Sequence, residues 1–210
     1  NEATYEIQYG NVKRPTHYNT SWDEARFEVC AHKWLDVSED GYGISVLNDC
    51  KYGCDVHNGR IGLTMLKSAT YPNPAADKEH HSFTWSLCPH SGRWQENQTV
   101  AKAYLLNNPY RAVVKQNDGG SLTKTYSAVS VNVPNVVIEV VKKAEDGEGT
   151  IIRMYECWNR RSRFELQLSE PAEHVYETNL LEEKQGEIPV KDNKVSLEIR
   201  PFEIKTLIVY

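Results

Sequence analysis

Apolar and polar residues alternate in short runs along most of this chain, the two-residue period of a strand with one buried face. Phe27, Val29 and Ala31 alternate with Glu28 and Cys30. Tyr42-Gly43-Ile44-Ser45-Val46-Leu47 is a β-rich run that ends in Asn48-Asp49. Arg60 to Leu66 alternates again directly after Asn58-Gly59, the dipeptide that most strongly marks a tight hairpin. Ser82 to Leu87 alternates once more and is expected to stop before Pro89. Tyr71-Pro72-Asn73-Pro74 reads as loop, because neither proline has an amide hydrogen to donate. One stretch departs from the pattern. From about Trp94 to Arg111, the positions of Ala101, Ala103, Tyr104 and Leu105 predict a helix ended by Asn107-Asn108-Pro109.

The second half repeats the strand pattern with clearer spacing. Val129, Val131 and Val133 alternate, and Val136 to Val141 forms the next run. Asp146-Gly147-Glu148-Gly149 turns the chain into Ile151 to Tyr155. Phe164, Leu166 and Leu168 follow, then Val195, Leu197 and Ile199, and Ile204 to Val209 closes the chain. Short strands separated by turns predict an all-β, antiparallel β-sandwich protein. A composition break at Lys115 to Lys124, centred on Asn117-Asp118-Gly119-Gly120, divides it into two β units, 1–116 and 125–210.

Composition narrows the function classes. The chain has 210 residues, 40% hydrophobic and 25% charged, with a formal net charge of −5. That is enough apolar material for a core without staples. Acids and bases are mixed throughout, which argues against nucleic acid or an anionic membrane as partner. No apolar run approaches the length of a bilayer span. The opening Asn1-Glu2-Ala3-Thr4-Tyr5 has neither the basic region nor the apolar stretch of a signal peptide. Lacking an initiator methionine as well, it is expected to be the start of a processed or excised chain. Five cysteines, an odd number at low density, read as reduced thiols in a cytosolic protein.

Candidate chemistry is sparse. Cys30, His32, Cys50, Cys54, His57, His80, His81, Cys88 and His90 are the residue types that zinc prefers, but their spacing matches no ligand knuckle. Ser86-Leu87-Cys88-Pro89-His90 places a thiol and an imidazole two apart on one strand face, a common coincidence. There is no strained GxSxG turn and no glycine-rich phosphate loop. Glu145-Asp146 and Glu182-Glu183 sit among turn signals and read as solvated surface and not as a glycosidase pair. From these residues alone, the chain is a β protein that could be a free-standing carbohydrate-binding or interaction module, or a zinc-stabilised structural domain.

Longer stretches carry more information. Ala25 to Trp34, Gly41 to Gly53, Thr70 to Asp77, Asn135 to Gly147 and Arg200 to Leu207 resemble, in order, segments of the retaining α-mannosidases of glycoside hydrolase family 38, of the cytosolic and vacuolar type. The first part is similar to the end of the large central β domain of that family, the last part to its small terminal sandwich. The resemblance implies an enzyme that releases terminal α-linked mannose from oligosaccharides. Its zinc site, Asp nucleophile and carboxylic acid belong to an N-terminal α/β domain, followed by a helical bundle. On this reading no catalytic or metal residue lies in the chain, which alone is expected to be inactive. Its partners are the catalytic domain, the helical bundle and an oligosaccharide, with a homo-oligomer left open, and its location is cytoplasmic. The family's loop at Asn48-Asp49-Cys50-Lys51-Tyr52-Gly53 packs toward the substrate cleft. This implies substrate contacts by Asn48, Asp49, Lys51, Tyr52 and Lys67. The family usually has Arg near Lys67, and Lys lacks its bidentate fork. For Asp49, a turn residue bonded to its own backbone remains the rival to a substrate-rim role.

Overall fold

The structure is a computed structural model that describes residues 1–114, 119–121 and 123–210. It divides into two compact units, Asn1–Arg111 and Ala112–Tyr210. Every strand pairing in both is antiparallel. Asn117 and Asp118, at the centre of the expected break, lie outside the described residues.

The first unit runs β1 (Glu2–Ile7), β2 (Gly10–Pro15), α1 (Ser21–Ala25), β3 (Val29–Cys30), β4 (Trp34–Ser38), β5 (Tyr42–Asn48), β6 (Gly53–His57), β7 (Arg60–Leu63), β8 (Trp85–Ser91) and α2 (Thr99–Asn107). Its main sheet has the order β2-β1-β4-β5-β8, and β3-β6-β7 forms a smaller one. Alternation on β4 and β5 sends successive residues to opposite faces. Leu35 and Val46 join Ala3, Tyr5, Ala31, Cys54 and Val56 in a core shared with the smaller sheet. Trp34, Asp36, Ser45 and Leu47 face the other way. There α2 packs across β4 and β5, and Trp94 lies against Trp34 with ring centroids 4.7 Å apart.

Beside these aromatic rings the core under the helix holds a polar group. Ser45 donates to Asp36 Oδ2 at 2.7 Å and shares a 2.8 Å bond with Thr99. Ser38 also donates to Asp36. His90 places Nε2 2.8 Å from Asp36 and Nδ1 3.2 Å from the Gly92 carbonyl. Asp36, Ser45, Thr99 and His90 are buried. Only glycine fits at position 43 beside this ring, because a Cβ there would stand 2.4 Å from His90 Cε1.

Three local expectations are revised. The first expected strand shrinks to Val29–Cys30, because Phe27 is two-thirds exposed and has no core to face. β8 runs through Pro89, which pairs opposite Ile44. A proline is tolerated there because β8 is an edge strand with hydrogen bonding needed on one side only. The helix is shorter than the pattern, Thr99–Asn107. The unforeseen α1 is set by a capping box between Thr20 and Asp23.

The second unit runs β9 (Val129–Val131), β10 (Val136–Lys143), β11 (Thr150–Glu156), β12 (Ser162–Leu168), β13 (Val175–Thr178), β14 (Lys184–Ile188), β15 (Val190–Lys191), β16 (Lys194–Ile199) and β17 (Ile204–Val209). Sheets of order β10-β11-β17-β13-β14 and β15-β16-β12-β9 make the two layers. The period-two residues read from the sequence, among them Phe164, Leu166, Leu168, Val195, Leu197 and Ile199, fill one apolar core with Ile152, Met154, Val175 and Leu207. At one end the fully buried carboxylate of Glu156 accepts from Asn135 Nδ2 (2.8 Å) and from the backbone amides of Trp158 (2.7 Å), Arg160 (3.1 Å) and Phe202 (3.1 Å).

Candidate functional site

The loop implied by the resemblance connects β5 to β6, at the far end of β6 from the Asn58-Gly59 turn. That turn has positive φ at both residues, as a two-residue hairpin of its kind requires. The loop is shaped by the side chain that opens it. Asn48 is buried; its Oδ1 accepts from the amides of Cys50 (3.0 Å) and Lys51 (2.5 Å), and its Nδ2 donates to the His32 carbonyl (2.5 Å). This is an Asx-type turn, in which a side-chain amide stands in for backbone. The Asn48 carbonyl in turn accepts from Asn107 Nδ2 of α2 at 3.1 Å.

Asp49 fastens the loop to the start of β8. Its amide donates to the Thr84 carbonyl (3.1 Å), and its Oδ2 accepts from the Thr84 amide (2.9 Å). The neighbouring Cys50 thiol and the Thr84 amide hold the Asp49 carboxyl below the usual carboxylate range. The same carboxylate pushes the exposed Cys50 thiol upward, so it is a poor thiolate.

Lys51 and Tyr52 face outward. Lys51 Nζ stands 5.4 Å from the Phe83 ring centroid. Tyr52 is 46% exposed, with its ring edge-on to His32 at 5.1 Å, while its carbonyl accepts from the Ala31 amide (3.0 Å). Lys67 belongs to a second group. Its Nζ donates to Glu28 Oε2 at 2.6 Å, and Thr64 donates to Glu28 Oε1 at 2.5 Å. The Lys67 ammonium and the Thr64 hydroxyl lower the Glu28 carboxyl. Gly53 lets these groups meet, since a Cβ there would lie 2.8 Å from Glu28 Oε1. The five residues thus fall into a turn-forming pair, an outward pair and an ion-paired lysine.

The bracing of this loop by His32, Phe83, Thr84 and Asn107 was not read from the sequence, where His32 stood only among possible metal-type residues and Asn107 only as a helix end. Each is remote along the chain and reaches the loop through strand pairing or through α2.

Other constellations disperse. All five cysteines are free thiols. Cys54 is buried against the Val29 carbonyl, and burial pushes its thiol up to about 12. His57 stacks on Tyr18, and both ring nitrogens of His90 face Asp36 and Gly92, not Cys88. Among the described residues no three of His, Cys, Asp and Glu come together in a way that could hold a metal ion. Among them also, no helix is long and apolar enough to cross a membrane.

Comparison with known proteins decides the family. Residues 1–75 match the model described as the glycosyl hydrolases family 38 C-terminal domain, and residues 135–207 match the family 38 C-terminal beta sandwich domain. The chain belongs to glycosyl hydrolase family 38. It is 40% identical over 213 residues to alpha-mannosidase 2C1 of Homo sapiens, covering 99% of this chain and 20% of that protein. It is 42% identical over 211 residues to alpha-mannosidase G of Dictyostelium discoideum, covering 97% and 19% respectively. The chain therefore spans about a fifth of the length of these curated relatives. Its fold is that of part of an alpha-mannosidase from Enterococcus faecalis V583, with a TM-score of 0.79 at 19% identity over 100% of this chain and 24% of that one.

Proposed function

We propose that this family 38 chain is the C-terminal β portion of a longer, cytoplasmic α-mannosidase that hydrolyses terminal α-linked mannose with retention of configuration. What carries the reading is the near-complete match, at about 40% identity, to two proteins named as alpha-mannosidases. The chain's domains on this reading are 1–116 and 125–210. Retention in this enzyme class uses a carboxylate nucleophile and a carboxylic acid on either side of the glycosidic bond. On this reading zinc, nucleophile and acid belong to the preceding polypeptide, as the family resemblance implies.

The role of this chain at the substrate is to supply part of the rim. Asn48 and Asp49 fix the backbone from 48 to 51, and that rigidity aims Lys51 and Tyr52 outward. A Lys ammonium, a Tyr hydroxyl and an aromatic face suit a sugar, which has a hydroxyl rim and an apolar face. Lys67 extends the rim from its contact with Glu28. The test is turnover of an aryl α-mannoside by the full-length protein and by the 210-residue chain. Turnover is expected from the first alone. No turnover by the full-length protein would sink the assignment, and turnover by the isolated chain would place catalytic groups here after all.

A further inference from the structure

Residues directly opposite in an antiparallel sheet share a face. Val46 pairs with Leu87, Ile44 with Pro89 and Asn48 with Trp85. Since Val46 belongs to the core shared with β3-β6-β7, Trp85, Leu87 and Pro89 point to that same side of the main sheet. Yet Trp85 is 48% exposed, Leu87 52%, and Pro89 is exposed too. The covering layer shields β5 and stops short of β8. An apolar core face thus runs out uncovered at the edge of the sheet.

The chemistry of this stripe selects its occupant. The Trp85 indole N–H is the one side-chain donor on the stripe, and Leu87 and Pro89 present none, so the stripe offers too few polar groups for a sugar's rim of hydroxyls. Pro89 removes a donor from the middle of the edge, which disfavours edge-to-edge pairing with a second copy. The relatives extend well beyond the matched region, about four-fifths of their length, and both matched domains are named as C-terminal. We infer that an apolar segment of the preceding polypeptide lies on Trp85, Leu87 and Pro89 and continues the layer begun by β3, β6 and β7. The inference rests on the reading of the chain as the C-terminal part of a longer enzyme.

Hydroxyl-radical footprinting of the full-length protein reads side-chain cover directly. Trp34, 2% exposed, is the internal reference for a buried indole. Trp85 is expected to oxidise as slowly as Trp34, and Leu87 to be shielded with it. Trp85 oxidation at least about tenfold faster than Trp34 would overturn the inference, as a group half open to solvent should react that readily. Shielding that is lost on dilution would also overturn it, because the cover would then be a second copy. Shielding in a full-length protein that does not turn over α-mannosides would uphold the docked face and reject only the proposed activity.

Discussion

The two units solve the same packing problem differently. In the second, the inward faces of two sheets meet over the main apolar core, a smaller cluster of Ala144, Ile151 and Ile208 lies on the outer face of the larger sheet, and several strands are read from the sequence as plain alternation. In the first, a sheet buries an apolar face beneath a short sheet and a mixed face, part polar, beneath a helix, and leaves apolar residues open along β8. A core closed by its own strands makes a unit sufficient in itself. A core whose face runs past its cover belongs to a larger assembly. The family assignment agrees with that contrast, because the chain is about a fifth of its relatives' length.

The largest expected effect sharpens this contrast. Leu166, fully buried in the second unit, should cost about 2–5 kcal/mol on Leu166→Ala, the range for a buried leucine leaving a cavity. In the isolated 210-residue chain, Leu87→Ala should stay within about 0.5 kcal/mol, as exposed substitutions do. Chemical denaturation measures both, and comparable losses would erase the distinction.

Next is Glu156→Ala, expected to cost about 3 kcal/mol, since an orphaned buried donor such as Asn135 Nδ2 costs roughly 1–3 kcal/mol and the three part-buried amides, which water can reach, add less. Glu156→Gln should not rescue it, because all four partners donate and the new amide would face at least one of them. Recovery of wild-type denaturation by the Gln variant would show that the carboxylate is not needed.

On the proposed α-mannosidase reading, Asp49→Ala in the full-length protein should lower kcat/KM by roughly tenfold or more, about 1.4 kcal/mol, with little change in Tm. In the same variant Cys50 should alkylate faster, because the carboxylate that raises its thiol is gone. Activity and Tm falling together would make Asp49 a turn residue only.

The smallest effect is the Lys67–Glu28 pair. The Glu28 carboxyl is lowered in the folded chain, so its contribution is present above the ordinary carboxylate range and lost as pH falls through the lowered value. Lys67→Ala should therefore lower Tm slightly near neutral pH, and the two melting curves should converge in acid. A gap that persists at low pH would mean that Lys67 acts through packing.

Legibility followed the same division. The second unit's inward residues were visible on β12 and β16, which bury one face each, while β11 and β17, buried on both faces, showed as short continuous apolar runs. β1 was missed because Ala3, Thr4, Tyr5 and Glu6 are all buried, and burial on both faces erases the alternation. The buried Asp36–Ser45–Thr99–His90 group was missed because polar residues under a helix look like surface. The candidate loop was named from the family resemblance. Its bracing was not, since Thr84 and Asn107 reach it only once β8 and α2 are in place.

The Glu156 carboxylate also governs which connections may change length. It gathers donors from the stretch before β10, the stretch after β11 and the turn before β17. An insertion in any of these three would pull a donor off a shared acceptor, so their lengths are coupled. The exposed β10–β11 turn carries a lighter obligation: the Glu145 amide donates to the Glu182 carboxylate at 2.8 Å, while the tip at Asp146–Glu148 bonds within itself. Across the family, insertions and deletions should collect there and avoid 157–161 and 200–203. The same turn is where a reporter domain could be spliced into this sandwich with least disturbance.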